Sequence, residues 1–367
     1  MAKARRTGVE RNMRTLATIQ MVETVEPVEM ADALERIKVL GWWVVANKGQ
    51  MKPGEKVVYC EIDSLLPERP EFEFLRKMCF REAIVTGGEV LQPAGFRIRT
   101  VKLRGQVSQG ICFPLSILPE GTPTDLGTDV TDMLGIVKYD PPLPSCLGGV
   151  VKGFLPEFIP KTDETRVQVL ERVIAQHKGR EVYYTEKLDG SSATIFVYGN
   201  QQGVCGRGLW FHDDDPNNSI CQIVRELKVL PKLRKLSEEE RCWYALQAEV
   251  IGPGIQKNHY ALSKTQLRVF NVLKINDGRQ GTHLVHVDDM SRIASAVGLE
   301  TIPMLGTFIL DHTVDQLVEM SKGKSQLNPK IHREGIVIRP LAEVNDPTMG
   351  RLSFKAINPD FLLKYDT

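Results

Sequence analysis

Short strand-like runs, broken every few positions by turn chemistry, fill the first third of this chain and leave it few ways to fold. They cover residues 16–25, 37–40, 42–46, 56–62, 96–103 and 111–114. Asn47-Lys48-Gly49 and Lys52-Pro53-Gly54 punctuate them, and residues 31–36 are expected to form one helical turn or two. So many short strands need closure to hide their edges, and a small β-barrel supplies it.

The character changes over residues 127–161, where Pro141, Pro142, Pro144, Gly148, Gly149, Gly153, Pro156 and Pro160 break any long element. Residues 126–160 therefore read as a Pro/Gly-rich linker between a domain at 1–125 and another at 161–367. A length of 367 residues suits two domains. In the second, strand-like runs at 182–187, 193–198, 243–251, 267–275, 304–310, 335–339 and 352–357 alternate with helical periodicity. Ile220, Ile223, Val224 and Leu227 follow the capping candidates Asn217-Asn218-Ser219, and Met290, Ile293, Ala294 and Val297 follow Asp288-Asp289. The fold class is α+β.

Lys and Arg number 47 against 46 Asp and Glu, so no global charge draws the chain to nucleic acid. Phosphate binding would need local clusters such as Arg97, Arg99, Lys102 and Arg104. Seven scattered cysteines, with no Cys-X-X-Cys pair, argue for reduced thiols in an intracellular, cytoplasmic protein and against a disulfide framework or a zinc site. No apolar run approaches the roughly 20 residues of a membrane span. The basic start, with Lys3, Arg5, Arg6, Arg11 and Arg14, lacks the apolar segment of a secretory signal and reads as a frayed tail.

Covalent chemistry is suggested at Lys187-Leu188-Asp189-Gly190, between two strand-like runs. It offers an amine nucleophile, a carboxylate two residues on, and a glycine that lets the backbone turn close to a ligand. Alone the pattern is weak, because a chain of this length holds it by accident roughly 0.1 times. Holding a lysine neutral at pH 7 costs about 4.6 kcal/mol without help from its surroundings, which implies neighbouring cations or a divalent metal with bound triphosphate. Asp189, Glu249 and Glu334 are the carboxylates assigned to that metal. Glu249 ends one apolar strand-like run and Glu334 opens another, positions that suit either a cleft or a solvated strand end. Arg207 and Lys355 are fixed cations that could clamp a phosphate, although singly each could be an ordinary surface charge. His212-Asp213-Asp214-Asp215 precedes a helix start and reads as a capping loop, outside the site.

The order Lys187, Arg207, Glu249, Phe270, Glu334, Lys355 resembles the covalent nucleotidyltransferase superfamily of polynucleotide ligases and messenger RNA capping enzymes. The resemblance implies an adenylyltransferase domain of antiparallel sheets with flanking helices. In it Lys187 would form a phosphoramidate with AMP, and Lys355 would contact the α-phosphate. Asp189 and Glu334 would hold Mg2+ or Mn2+ or its waters, while Glu249 would bind ribose hydroxyls or metal water. Arg207 would touch ribose or substrate phosphate, Phe270 would stack near the purine, and Glu186 would help to read adenine. Gly190 completes the nucleotide-binding turn. Two departures stand out: the arginine motif Val204-Cys205-Gly206-Arg207-Gly208 matches only at the arginine, and the last motif, often Lys-X-Lys, has Ser353 at its first position, with the next lysine at Lys364.

Only about a dozen residues follow Lys355, too few for the carboxy-terminal OB barrel of capping enzymes and DNA ligases. The β-rich segment in front, through Gly105-Gln106-Val107-Ser108-Gln109-Gly110, is similar to the amino-terminal OB module of the ATP-dependent RNA ligases of Deinococcus and Naegleria. That resemblance implies joining of 3′-hydroxyl and 5′-phosphate RNA ends, at nicks in duplexes, through lysyl-AMP and adenylylated RNA. Trp42, Trp43, Arg97, Arg99, Lys102 and Arg104 are the barrel residues that could meet RNA. No protein partner is evident, which is compatible with a monomer. Two other readings share the fold: a non-catalytic RNA-binding protein, and a DNA-joining or capping activity.

Overall fold

The apolar run Val57 to Cys60 is buried throughout, which places the strand Lys56–Cys60 at the centre of a sheet. Ala17–Met21 pairs antiparallel on one side of it and Ile111–Pro114 on the other. The computed structural model describes residues 15–28, 31–86, 89–139, 147–276 and 282–365. The chain divides into two compact units, Met1–Pro141 and Pro142–Thr367.

In the first unit, Thr24–Pro27, Leu34–Val39 and Trp42–Asn47 form an antiparallel meander. The helical turn expected at residues 31–36 is therefore absent. Ile37 and Val39 are buried while Arg36 and Lys38 are not, a period of two, and pairing on both sides overrides the helical preference of Ala, Leu, Glu and Arg. The run expected at residues 96–103 is broken: Gly95–Arg97 joins Ser64–Leu66, whereas Val101–Leu103 makes a hairpin with Gln106–Ser108.

Alternation also separates the two tryptophans. Trp42 is fully buried, and Trp43 carries the Arg36 guanidinium 4.4 Å and the Lys38 ammonium 5.7 Å from its ring centre. Arg97 is buried, 4.3 Å from the Tyr139 ring centre and 3.8 Å from Asp63. Trp42 and Arg97 are thus buried rather than presented on a surface, while Lys102 and Arg104 are exposed.

The stretch expected as a linker is largely structured. Val130 and Ile19 hydrogen-bond across to Ala17 and Thr128, Val137–Lys138 pairs with Ser64–Leu66, and in the second unit Val151–Phe154 pairs with Leu209–Phe211. Pro141, Pro142, Pro144 and Cys146 lie outside the described residues, as do Lys3, Arg5, Arg6, Arg11 and Arg14. The described cysteines are free, and among the described residues no helix is long and apolar enough to cross a membrane.

The second unit holds an eight-stranded and a five-stranded sheet. Ser191–Tyr198, Trp243–Ile251 and Gln266–Ile275 are adjacent in the first, and Glu181–Lys187, Gly335–Pro340 and Phe354–Ile357 in the second. Helices Ser219–Glu226, Val229–Glu239 and Val287–Ala296 pack Ile220, Ile223, Leu233 and Ile293 onto Ile195, Leu246 and Val272. Asn218 caps the first of them by accepting from the amides of Ile220 and Cys221. The Val287–Ala296 helix is capped by His286, with Asp288 and Asp289 inside its first turn. His212 to Asp215 lie in the loop before Asn218, where Asp215 accepts from Asn217 at 2.8 Å.

The buried Arg339 side chain links the two sheets. From Gly335–Pro340, Arg339 donates to Ser353 Oγ on its own side, to the Phe270 carbonyl and Asn271 Oδ1 of the larger sheet, and to Glu164, all at 2.7–2.8 Å. Removing one member of a buried, hydrogen-bonded ion pair leaves its partner uncompensated, at about 3–5 kcal/mol. Arg339→Leu is accordingly expected to lower unfolding free energy by about that amount in urea titrations, and a loss under about 1 kcal/mol would show that the guanidinium is not a structural pin.

Candidate active site

The chain passes from the five-stranded to the eight-stranded sheet through Leu188-Asp189-Gly190, which places Lys187 and Asp189 at the gap between the sheets. Lys187 pairs in register with Gly335, so the side chain of Glu334 starts its strand beside it. A Cβ on Gly335 would lie 2.3 Å from the Ala356 carbonyl oxygen; only glycine lets the strand lie this close to Phe354–Ile357. The Glu334 main chain is fixed in turn by the Asn358 amide, which donates to its carbonyl at 2.8 Å. The result is a symmetrical contact in which Lys187 Nζ donates to both Glu334 carboxylate oxygens at 2.7 Å.

Glu249 approaches from the other sheet, paired in register with Ser192. Gly190 presses on that strand: a Cβ there would meet the Val250 carbonyl oxygen at 2.3 Å and Glu249 Cγ at 2.8 Å. Burial, and after it repulsion from Glu334 and Asp189, push the Glu249 carboxyl up to about 8, although Lys187 pulls the other way. Burial also acts against the Lys187 ammonium, yet Glu334, Glu249 and Asp189 outweigh it and hold its pKa above the ordinary value. The amine therefore rests protonated, clamped by carboxylates.

Lys355 lies level with Val337, which pairs with Thr185. Directly opposed residues share a face and alternate residues return to it, so Lys355 and Lys187 face the same side of the five-stranded sheet. Glu186 lies on the opposite face of the strand. Its Oε2 accepts from the Gln326 amide at 2.7 Å, whereas Oε1 is buried without a hydrogen-bond partner, and burial raises its pKa. Phe270 is the extra residue where the register of Trp243–Ile251 and Gln266–Ile275 slips between Gln247 and Ala248. It packs, half-buried, with Leu188, Ile251, Tyr260 and Ile302. Arg207 is exposed on its loop and pairs with Asp163 at 2.7 Å. Among the described residues no three His, Cys, Asp or Glu side chains are gathered as a ready metal cage.

Tyr260, His259 and Arg339 escape a reading of motifs. The Tyr260 hydroxyl accepts from the Asp189 amide at 2.6 Å, and His259 Nε2 lies 3.5 Å from Asp189 Oδ2. Tyr260 and His259 lie in a loop without periodicity, which gives no signal; Arg339 does give one, as a charge directly after the apolar run Ile336-Val337-Ile338.

A family model described as RNA ligase matches residues 180–357, and one described as an OB-fold domain matches residues 16–115. Solved structures of Naegleria gruberi RNA ligase resemble nearly the whole chain. An unliganded variant has 34% identity and a TM-score of 0.83, covering 96% of this chain and 98% of that one. A lysine variant with ATP and Mn gives 34% and 0.83, and the enzyme with pyrophosphate 34% and 0.82, each covering 95% of this chain and 98% of that one. This chain belongs to the RNA ligase family. No curated protein matches it. The expected OB module in front and adenylyltransferase-like α+β unit behind are thus both found in this RNA ligase.

The electrostatics of Glu249 have a measurable consequence. Its proton is held to higher pH in the folded than in the unfolded chain, so the wild type loses stability as pH rises from the ordinary 4.5 through about 8. Glu249→Gln removes that loss. Its thermal midpoint relative to the wild type should climb between pH 5 and 8 and level off above; a pH-independent difference would show that Glu249 ionises normally.

Proposed function

We propose that this RNA ligase uses ATP to join 3′-hydroxyl and 5′-phosphate RNA ends, at nicks in duplexes, through AMP carried on Lys187. The observation that carries the reading is the Lys187 amine held at the sheet-crossing turn by Glu334 and flanked by Asp189 and Glu249. The similar Naegleria structures hold ATP, AMP or pyrophosphate, the reactant and products of such a step.

In the first step the Lys187 Nζ–Pα bond forms as the bond from Pα to the bridging oxygen breaks. Pyrophosphate leaves with the electron pair, and the amine protons pass to water. AMP then moves to the RNA 5′-phosphate oxygen, releasing the lysine, and the RNA 3′-hydroxyl displaces AMP to close the strand. Each displacement asks for in-line placement and charge neutralisation. Lys355, on the face it shares with Lys187, supplies a fixed cation for the α-phosphate. The unsatisfied Glu186 Oε1 suits a purine amino group, and Phe270 with Leu188 and Ile251 offers an apolar wall for the base.

Asp189, Glu249 and Glu334 are hard oxygen donors; burial, and after it their mutual repulsion, raises the Glu249 carboxyl, and a divalent cation would relieve the repulsion. One or two of them, with water and phosphate oxygens, suit Mg2+ or Mn2+. That ion would neutralise the phosphates and favour the unprotonated amine. Arg207, paired with Asp163 on its exposed loop, is assigned to ribose or substrate phosphate, a contact that would require exchange of that surface pair. The free, mostly buried thiols support a reducing, intracellular setting.

ATP labelled on the α-phosphate tests the reading. With Mg2+ the wild type should become labelled and Lys187→Ala should not. Transfer that survives Lys187→Ala would overturn the assignment of the nucleophile, and transfer from GTP alone would point to capping. Sealing of a nicked duplex with RNA at the 3′-hydroxyl side should be abolished by the same substitution.

A further inference from the structure

The turn that carries Asp189 is gripped from two sides. On one, Gly190 lies against Val250 and Glu249 so closely that no side chain fits. On the other is the loop that continues from the same strand, where Gln256, Lys257, Asn258 and Ala261 hold φ values of 44°, 54°, 46° and 55°. Non-glycine residues rarely enter this left-handed region, and four of them within six positions persist only where the surroundings fix them. The fixing contacts are visible. The Asn258 side chain bridges to the Leu262 carbonyl at 2.8 Å and its amide at 3.1 Å, and Asn328 Nδ2 donates to the His259 carbonyl at 3.3 Å. The His259 ring centre lies 4.4 Å from that of Tyr365 and 5.9 Å from that of Phe361, both on the helix Pro359–Tyr365.

The contacts this rigid loop makes with the turn are polar and directed. The Tyr260 hydroxyl accepts the Asp189 N–H at 2.6 Å, and Gln256 Nε2 donates to the Gly190 carbonyl at 3.3 Å. The Tyr260 ring is buried and packs with Leu188 and Ile251, so the hydroxyl has little freedom to move. Main-chain groups on both sides of the Asp189–Gly190 peptide are thereby held from the loop, two residues from the reacting amine.

We infer that Tyr260 is a positioning residue for transfer of the nucleotide to lysine: its hydroxyl fixes the main chain after Lys187, and so the line along which Nζ meets phosphorus. The inference rests on the proposed role of Lys187 as nucleophile. It assigns Tyr260 chiefly to that first step, because the later displacements are made by RNA oxygens and not by the amine. A misplacement of about 1 Å in a reacting group can cost 10²-fold in rate, so loss of one fixing hydrogen bond is enough to be read kinetically.

Tyr260→Phe keeps the ring and its packing and removes the acceptor. In single-turnover reactions with labelled ATP, it should form the protein–AMP adduct at least about tenfold more slowly, with ATP affinity unchanged. Sealing of a nicked RNA that already carries 5′-linked AMP should stay within about threefold of the wild type, with a thermal midpoint close to it. Gln256→Ala should show a smaller loss in the same step. Adduct formation at the wild-type rate, or equal losses in adduct formation and in sealing of the pre-adenylylated nick, would overturn the inference while leaving the reading of Lys187 intact. Absence of label on Lys187 in the wild type would instead remove that reading and the inference with it.

Discussion

The guanidinium of Arg339 pins the two sheets of the second unit, and the meeting of Lys187, Glu334 and Glu249 depends on that pin. Glu334 opens the strand that carries Arg339, and Glu249 lies on a strand whose neighbour supplies the Phe270 carbonyl and Asn271. Taking a guanidinium out of water costs several kcal/mol, and the penalty is offset only when its donors find good acceptors. Here burial works against the charge, and Glu164 and Tyr183 outweigh it. The bulge at Phe270 has a physical reason in this contact, since the carbonyl of the extra residue is the one that accepts from Arg339. A carboxylate from each sheet thus reaches one lysine, although neither glutamate neighbours it in sequence.

That geometry also explains why the amine rests as it does. Glu334 alone would neutralise Lys187; adding Glu249 and Asp189 leaves an excess of negative charge around one ammonium. Burial first, and then repulsion from Glu334 and Asp189, keeps the proton on Glu249 near neutral pH. An anionic triphosphate entering with a divalent cation, as the proposed function requires, would change that balance. On the proposed reading Asp189, Glu249 and Glu334 would hold that cation, which would withdraw their support from the Lys187 proton and favour the free amine. The protonated Lys187 of this structure and the free amine that the proposed reaction requires would then be two charge states of one cluster.

Much of this was legible in the residues. Lys187, Asp189 and Glu334 are found together because their motifs flank strands, and a residue at a strand end is placed by the sheet and not by local preference. The Ile220 helix and its Asn218 cap follow from periodicity and a local hydrogen bond, both short-range. What could not be read is non-local. The residues at 31–36 prefer a helix until strands pair on both sides of Leu34–Val39, and the Pro/Gly-rich stretch reads as a linker until Val151–Phe154 finds Leu209–Phe211. Tyr260 is a further case, since nothing in Asn258-His259-Tyr260 announces a hydroxyl that will hold the Asp189 amide seventy-one residues upstream in sequence.

The same pin bears on Ser353, the position where the last motif departs from the Lys-X-Lys form. Ser353 is buried, and its hydroxyl accepts from Arg339 Nε at 2.8 Å. An ammonium at that point has no lone pair to accept with and would face a buried guanidinium of the same sign, so a lysine would break the contact that joins Gly335–Pro340 to its neighbouring strand. A small hydroxyl acceptor satisfies Arg339 instead. Lys355, one alternation along, lies on the face shared with Lys187, where the proposed function asks for a cation. In this chain the serine is the structural counterpart of Arg339, and its hydroxyl serves the pin between the sheets.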